Sequence, residues 1–122
     1  MRSTPLILSL AALSLLLAAC GRDCREDVRL GDFEFSQGNY ERAEKLYRQA
    51  WEIAKDDYDA CIAAHYVARF QKDPQDVFYW NQEALKRANS VEYERVKDFF
   101  PSLYLNMGHS FELIPGGGKP VL

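Results

Sequence analysis

Histidine and cysteine are scarce in this chain, with two histidines and three cysteines among 122 residues. His65 and His109 lie far apart in the sequence and no Cys-x-x-Cys pair accompanies them, which disfavours a zinc site. The chain also lacks a Gly-x-Ser-x-Gly motif and a phosphate-binding glycine loop, so no set of nucleophile, base and orienting residue can be assembled. We therefore predict that the protein is not an enzyme and binds neither a metal nor a cofactor.

Basic charge is also limited. The 18 acidic residues outnumber the 15 lysines and arginines, the formal net charge is −3, and the sequence has no extended run of Lys or Arg. Nucleic-acid binding requires basic residues that neutralise phosphates, and electrostatic attraction to a membrane surface requires a polybasic patch. The composition therefore predicts neither a nucleic-acid partner nor a polybasic contact with a membrane.

The alternation of polar and apolar residues that marks strands is absent, and the helical period dominates. After Gly38, small and apolar residues recur every three or four positions, and charged residues occupy the opposite face. The apolar positions are Ala43, Leu46, Tyr47, Ala50, Trp51 and Ala54. Gly38 permits a turn and Asn39 can cap the helix that follows, so two antiparallel helices should meet there. The same period predicts a second pair over 58–68 and 77–88, and the fold class is therefore all-α.

The N-terminal residues have the pattern of an exported protein. Arg2 provides a positive charge, residues 6–17 form an uncharged apolar stretch too short to span a bilayer stably, and small residues lead to Cys20. The run Leu17-Ala18-Ala19-Cys20-Gly21 resembles the lipobox of bacterial lipoproteins, in which a peptidase cuts before the cysteine and the cysteine sulfur carries a lipid. An ordinary secretory signal with an incidental cysteine is the alternative.

The lipobox resemblance implies a location as well as a modification. Residues 1–19 would be a cleaved lipoprotein signal peptide, with Cys20 as the lipidated first residue and 20–24 as a short linker. Two or more acyl chains anchor a protein durably where one does not. In similar lipoproteins Asp after the cysteine favours the inner membrane, and Gly21 stands there instead. We expect a lipid-anchored protein of the bacterial cell envelope, at the outer membrane facing the periplasm if the host has one.

The helical part resembles a tetratricopeptide-repeat protein, whose units of about 34 residues are helix-turn-helix pairs. In the first unit Leu30-Gly31 match the consensus Leu-Gly pair, Ala43 matches the small residue where the helices cross, and Tyr47 matches the aromatic residue after it. Positions that depart from the consensus are Asp27, Glu34 and Lys55. The resemblance implies a helical solenoid that serves as a binding scaffold.

Two further units follow, and they match the repeat consensus less completely. Ala84 lies one repeat period after Ala50, but His65 takes the place that Gly31 has in the first unit. Residues 104–111 fit the first-helix pattern closely and mark the start of a third unit. The repeat resemblance thus covers the chain from about residue 24 to residue 113.

Two segments depart from the repeat. The third unit starts nine residues later than two periods predict, and these extra residues, about 90–98, resemble the lengthened helices of longer-period members of the superfamily. A helix beginning near Val91 would be kinked or restarted by Pro101. Three glycines and two prolines follow in the tail and cannot form the second helix of the third unit. We therefore predict a solenoid of about two and a half units over 25–113 and an irregular Gly/Pro tail over 114–122.

The incomplete third unit leaves apolar residues without their usual cover. Each unit of a solenoid buries its apolar face on the next one, so Tyr104, Met107 and Phe111 should remain partly open. Either the chain is a truncated remnant of a longer repeat protein, or this open face contacts a partner or a second copy of the chain.

The first helix of each unit would line a concave groove. By resemblance to peptide-binding repeats, the partner-binding positions are Val28, Arg29, Asp32, Phe35, Ile62, Tyr66, Arg69, Phe70, Leu105, Asn106 and His109. The aromatic members could hold apolar anchors or could simply pack between helices. Arg29 and Arg69 could pair a carboxylate, although the basic residues of the carboxylate-binding members of the family are not reproduced as a set.

The sequence leaves open whether Cys24 and Cys61 are bonded to each other. Cys24 and Cys61 could form a disulfide, because an exported protein sits where disulfides persist. Cys61 also falls on the apolar side of its helix, where a cysteine usually acts as a small buried hydrophobe.

These features predict a membrane-anchored adaptor that binds a segment of a partner protein in a concave helical groove, in the assembly of envelope complexes. Two alternatives stay open: a structural subunit that docks permanently through its open third unit, and a truncated remnant without a stable function.

Overall fold

The computed structural model describes residues 22–117, which form six helices. They are α1 (Cys24–Ser36), α2 (Tyr40–Ile53), α3 (Asp57–Ala68), α4 (Pro74–Ala88), α5 (Tyr93–Val96) and α6 (Phe100–Leu113). Residues 22–117 contain no strand, so the all-α prediction is confirmed for this part. None of the helices described is long and apolar enough to cross a membrane. The predicted signal peptide, the lipidation site Cys20 and the last residues of the tail, 118–122, lie outside the described residues.

Helices α1 and α2 form a pair joined at Gly38, as the sequence predicts. Gly38 has a φ of 80°, a left-handed conformation that residues with a side chain rarely adopt. Asn39 occupies the N-cap position of α2, but its side chain makes no capping hydrogen bond. Its amide instead donates to Glu34 Oε2 at 2.7 Å, so Asn39 ties the turn back to α1.

Helices α3 and α4 form the second pair, and each starts at an aspartate cap. Asp56 accepts a hydrogen bond from the Asp59 amide at 2.8 Å, and Asp73 accepts one from the Gln75 amide at 2.8 Å. Pro74 follows as the first residue of α4, where its missing N–H costs no helical hydrogen bond. These caps fix where both helices begin.

The segment between α4 and α6 differs from the sequence prediction. A long helix starting near Val91 was expected, but α4 ends at Ala88 and only the single turn α5 forms before α6. Val96 of α5 is 1% exposed, and the guanidinium of Arg95 lies 4.7 Å from the ring centre of Tyr58 in α3. The Arg95 contact holds this segment beside α3, and α5 ends at Val96 instead of continuing as the expected long helix. Pro101 lies in the first turn of α6 and restarts the helix.

The core is built mainly from small side chains, which lets the helices approach closely. Fully buried alanines occur on three helices: Ala43 and Ala50 of α2, Ala63 and Ala64 of α3, and Ala84 and Ala88 of α4. Larger side chains join the clusters that these alanines form, and Leu103 attaches α6 to the cluster of α3 and α4. Helix α6 packs mainly on α4, and α2 packs on α3, so successive helices are neighbours in space.

Candidate partner-binding clefts

Gly31 of α1 packs against the ring of Tyr47 of α2. A β-carbon built on Gly31 would lie 2.7 Å from Tyr47 Cε1, so only glycine leaves room for the ring. Tyr47 is fully buried, and its hydroxyl donates to Asp32 Oδ1 at 2.6 Å. Burial and this hydrogen bond raise the pKa of Tyr47 well above its usual value. Asp32, one of the predicted groove residues, therefore serves to hold the buried ring.

Four predicted groove residues come together around Tyr47. Tyr66 stacks on the Tyr47 ring at 4.7 Å between ring centres, and Phe70 lies 5.8 Å from it. Phe35 meets Phe70 edge to face at 6.0 Å. The guanidinium of Arg69 lies 4.9 Å from the Phe35 ring centre and 5.2 Å from that of Tyr66. The aromatic members are half-buried and pack on one another, so much of their surface contributes to the packing between α1 and α3.

The two predicted carboxylate-binding arginines differ in their surroundings. Arg29 forms an ion pair with Glu26 of its own helix through two hydrogen bonds. Arg69 is exposed and makes no ion pair within residues 22–117. Only Arg69 therefore presents a positive charge that no neighbouring carboxylate neutralises. Val28, another predicted groove residue, packs against two core clusters.

A cleft of about 360 Å³ separates α3 from the α5 segment; we call it the α3–α5 cleft. It is lined by Tyr58, Cys61, Ile62, Tyr66, Arg95, Val96, Asp98 and Phe99. The predicted groove residues Ile62 and Tyr66 form part of its apolar wall. A second, adjoining depression contains Arg25 and Asp59 together with Arg95, so charged groups stand beside the apolar floor. Sequence reasoning missed the α5 wall because the extra residues were expected to lengthen a helix.

A second cleft, of about 450 Å³, lies where α3, α4 and α6 meet; we call it the seam cleft. Its lining residues are His65, Ala68, Arg69, Gln71, Val77, Asn81, Ser102, Asn106, His109 and Leu113. Asn81 of α4 donates to the Asn106 carbonyl at 3.4 Å, and the Asn106 amide contacts His65 Nδ1 at 3.4 Å. These contacts connect three helices through polar groups. The predicted residues Asn106 and His109 thus join Arg69 here rather than the α3–α5 cleft.

The two clefts are neighbours on α3. His65 lines the seam cleft and Phe99 lines the α3–α5 cleft, and their rings lie 4.9 Å apart, edge to face. Burial and the nearby charge of Arg69 lower the pKa of His65. His65 is therefore a partly buried, neutral packing residue at neutral pH, and its ring forms the partition between the clefts.

The seam cleft can be compared with the first pair of helices through the repeat resemblance. That resemblance aligns His65 with Gly31 and Asn81 with Tyr47, one repeat period later in the chain. In the first pair a tyrosine ring covers a glycine, whereas in the second pair two polar side chains border a cleft. Asn81 is 5% exposed, so this substitution places a buried amide at a position that is apolar in the first pair. The sequence signal that could have revealed this difference is the pair His65 and Asn81, which stands one repeat period after Gly31 and Tyr47.

The outer face of α6 is open. Gly108, which the repeat resemblance aligns with Gly31, has no atom within 4 Å of a built β-carbon among residues 22–117. Tyr104 and Phe111 are 57% and 47% exposed, and the predicted groove residue Leu105 is 72% exposed and lines neither cleft. Met107, the third residue expected to stay partly open, is half-buried, so within residues 22–117 all three side chains are at least partly exposed.

Cys24 and Cys61 are both free and buried. Cys24 packs with Ala50 and Ala63, whereas Cys61 packs in the separate cluster of α3, α4 and α6. Burial raises the pKa of each thiol to about 11, and for Cys24 the nearby carboxylates contribute as well. Both side chains act here as small apolar residues, and this structure contains no disulfide between them.

Residues 22–117 contain no group of His, Cys, Asp and Glu side chains arranged to hold a metal ion. No protein-family model matches the chain, and no curated protein and no solved structure matches it either.

Proposed function

We propose that the protein is an adaptor of the bacterial envelope that binds a segment of a partner protein in the α3–α5 cleft. The observation that carries the proposal is the cleft itself, in which the apolar side chains of Ile62, Tyr66 and Phe99 stand beside Arg95 and Asp98. The ion pair of Arg25 with Asp59 lies in the adjoining depression. An apolar floor with a few polar groups at its edge is the usual form of a site that anchors one side chain of a ligand. The partner segment would place an apolar side chain between α3 and α5.

We further propose that the helices form a tetratricopeptide-repeat solenoid. The contact between Gly31 and Tyr47 supports this arrangement. Gly31 belongs to the consensus Leu-Gly pair of the first helix, and Tyr47 matches the consensus aromatic residue of the second helix. The pairing of α1 with α2 and of α3 with α4 supports it too. In this arrangement α3 is the central helix of the concave side, and the α5 segment narrows the groove over it.

The location rests on the N-terminal sequence. Lipidation of Cys20 would hold the adaptor at the membrane while α1 begins only a few residues later, so the binding surface would stay close to the bilayer. Radiolabelled palmitate fed to cells that produce the full-length chain should label the wild type and not Cys20→Ala. Labelling of both proteins would contradict lipidation at Cys20.

The clearest test of the binding site is photo-crosslinking in cells. A photoreactive residue at Ile62 faces the α3–α5 cleft, and the same residue at Lys86, exposed on α4, provides a control. We expect a discrete crosslinked product from position 62 and none from position 86. A product that forms equally at both positions, or at neither, would contradict the proposal.

A second candidate function is supported by the open face of α6. The empty space over Gly108 and the exposed Tyr104 and Phe111 favour a protein that docks permanently into a larger complex. A photoreactive residue at Leu105 separates the two functions. A product from position 105 without one from position 62 would favour permanent docking over capture of a segment in the cleft.

A further inference from the structure

We propose that Val96 of α5 occupies the place that an apolar side chain of the partner takes, so that α5 is a movable wall of the α3–α5 cleft. The inference rests on the proposed function, because it names the part of that cleft in which the partner is bound. The group that binds is an aliphatic side chain of about the size of valine or leucine. Until it binds, Val96 fills its site from within the chain.

Two of the residues that line the α3–α5 cleft are closed to solvent. Cys61, from the α3 wall, is 0% exposed, and Val96, from the α5 wall, is 1% exposed. The other lining residues are half-buried or exposed. An aliphatic side chain gains binding free energy in proportion to the apolar area that it removes from water. The part of the cleft that would bury a partner side chain most completely is thus the part that Val96 fills.

Val96 is buried without belonging to the main core. The hydrophobic core clusters found within residues 22–117 are built around other side chains, and Val96 is a member of none of them. Extensive helix packing joins α1, α2, α3, α4 and α6 to one another. Displacing Val96 would therefore leave the packing of these five helices in place, whereas displacing Leu103 would disrupt the cluster that attaches α6.

The hydrogen bonds of the α5 segment are local, so the segment can move as a unit. In the part of the chain that the structure describes, the hydrogen bonds of residues 91–98 join partners no more than four positions apart. The Lys97 amide, for example, donates to the Tyr93 carbonyl at 2.8 Å. Glu92, at the N-cap position of α5, makes no capping hydrogen bond with its side chain. Segments with few nonlocal contacts open at a lower free-energy cost than the core.

The contact between Arg95 and Tyr58 holds α5 beside α3. The guanidinium lies 4.7 Å from the ring centre, and Arg95 is exposed to solvent. A cation–π contact at an exposed site is weak. No carboxylate among residues 22–117 pairs with Arg95, whereas the guanidinium of Arg87 has both a ring and Asp57 as partners. The Arg95 contact is therefore strong enough to favour the closed position of α5 and weak enough for a bound side chain to overcome.

Cys61 reports the opening of α5, and Cys24 provides an internal control. Burial raises the pKa of both thiols to about 11, so each reacts with iodoacetamide mainly when it becomes uncovered. Cys61 lines the α3–α5 cleft, whereas Cys24 packs with Ala50 and Ala63 and does not line it. The test uses the native full-length chain purified in detergent. Peptide mass spectrometry gives the rate of modification at each cysteine separately, and each rate is compared between wild type and variants.

Substitutions in the α5 segment test whether this wall moves. Val96→Ala should raise the rate at Cys61 about tenfold or more, and Arg95→Gln should raise it about threefold, with no change at Cys24. Val91→Ala removes the same two methyl groups from a half-buried valine outside the cleft lining and should leave both rates unchanged. A thermal melt of each variant shows that the fold is retained. Equal rises at both cysteines, or no rise at Cys61, would overturn the proposal.

A matched pair of small probes tests the ligand. N-acetylleucinamide carries an aliphatic side chain, and N-acetylglycinamide is the same molecule without it. The methyl resonance of Ile62 in an NMR spectrum, assigned by its loss in Ile62→Val, reports on the cleft. We expect N-acetylleucinamide to shift this resonance in a saturable way and to bind Val96→Ala about tenfold more tightly than wild type, because Val96 no longer competes. Equal binding to the two proteins, or an equal response to N-acetylglycinamide, would overturn the site assignment.

The remaining outcomes separate this inference from the proposed function. If a crosslink forms at Ile62 in cells while Val96→Ala changes neither the Cys61 rate nor the binding of N-acetylleucinamide, the movable wall is wrong and the adaptor proposal stands. If Val96→Ala produces both effects and no crosslink forms at Ile62, the movable wall is supported and the partner proposal is wrong.

Discussion

The ring of Tyr47 lies directly on the backbone of Gly31, and this contact sets the distance between α1 and α2. A β-carbon on Gly31 would be 2.7 Å from Tyr47 Cε1 and 3.0 Å from Cδ1. The ring cannot move aside easily, because it is fully buried, stacked on Tyr66 and bonded to Asp32. The glycine is therefore a requirement of close packing at this crossing.

Replacing Gly31 by alanine should destabilise the protein. The added methyl group must displace a buried ring, and overpacking of this kind typically costs about 1–3 kcal/mol. Alanine also gains about 0.5–1 kcal/mol over glycine inside a helix, which offsets part of that cost. Urea unfolding of the full-length chain measures the free energy of unfolding, and we expect Gly31→Ala to lower it.

Gly108→Ala provides the matched control for that measurement. Gly108 is the glycine of α6 that the repeat resemblance aligns with Gly31, and nothing among residues 22–117 lies within 4 Å of the added carbon. Only the higher helix propensity of alanine acts at that site, so Gly108→Ala should raise the free energy of unfolding by about 0.5–1 kcal/mol. Two substitutions with effects of the same sign would show that the Tyr47 contact does not control the packing of α1.

The stability of the protein should depend on pH through His65. Burial and the charge of Arg69 lower the pKa of His65 in the folded protein, whereas the unfolded chain has the ordinary value near 6.5. Below that value the unfolded state binds more protons, so the free energy of unfolding should fall as the pH is lowered through about 6.5 and remain unaffected by His65 above it. One proton limits the slope to about 1.4 kcal/mol per pH unit.

Urea titrations at several pH values between about 8 and 5.5 measure this effect. His65→Gln should flatten the plot of the free energy of unfolding against pH in that range, because the histidine with the lowered pKa has been removed. A slope that survives in His65→Gln would assign the pH dependence to other groups.

The two buried cysteines should be unreactive until the protein unfolds. Both thiols are covered by core residues, and their pKa values are raised to about 11, so little reactive thiolate exists near neutral pH. We expect iodoacetamide to modify Cys24 and Cys61 slowly in native protein and rapidly in urea, without a prior reduction step. Modification in urea only after treatment with a reductant would show that the two cysteines are bonded.

The sequence was sufficient to predict the helical pairs, since each rests on local signals. The glycine turn at Gly38 and the three- and four-residue apolar period determine where α1 to α4 lie, and these signals act within one or two helices. The open face of α6 was also predictable, because a Gly/Pro tail cannot supply the covering helix.

The seam cleft and the α5 wall were beyond sequence reasoning because both depend on contacts between distant segments. The contact between Arg95 and Tyr58 of α3 helps to fix the path of the α5 segment, and no local sequence pattern predicts a contact between residues so far apart in the chain. The groove prediction placed Asn106 and His109 with Ile62, but α6 turns them toward α4 and Arg69 instead. Helix-face assignments for α6 depend on how it packs against α4, which the repeat resemblance alone did not specify.

The most direct test of the adaptor proposal compares the partners recovered with two variants of the full-length chain. Crosslinked complexes would be isolated from the envelope of the source organism and compared by quantitative mass spectrometry for wild type, Ile62→Glu and Leu105→Glu. Ile62→Glu places a charge in the α3–α5 cleft, and Leu105→Glu makes the same kind of change on the open face of α6. We predict that a partner present with wild type is lost with Ile62→Glu and retained with Leu105→Glu; its retention with Ile62→Glu and loss with Leu105→Glu would contradict the account.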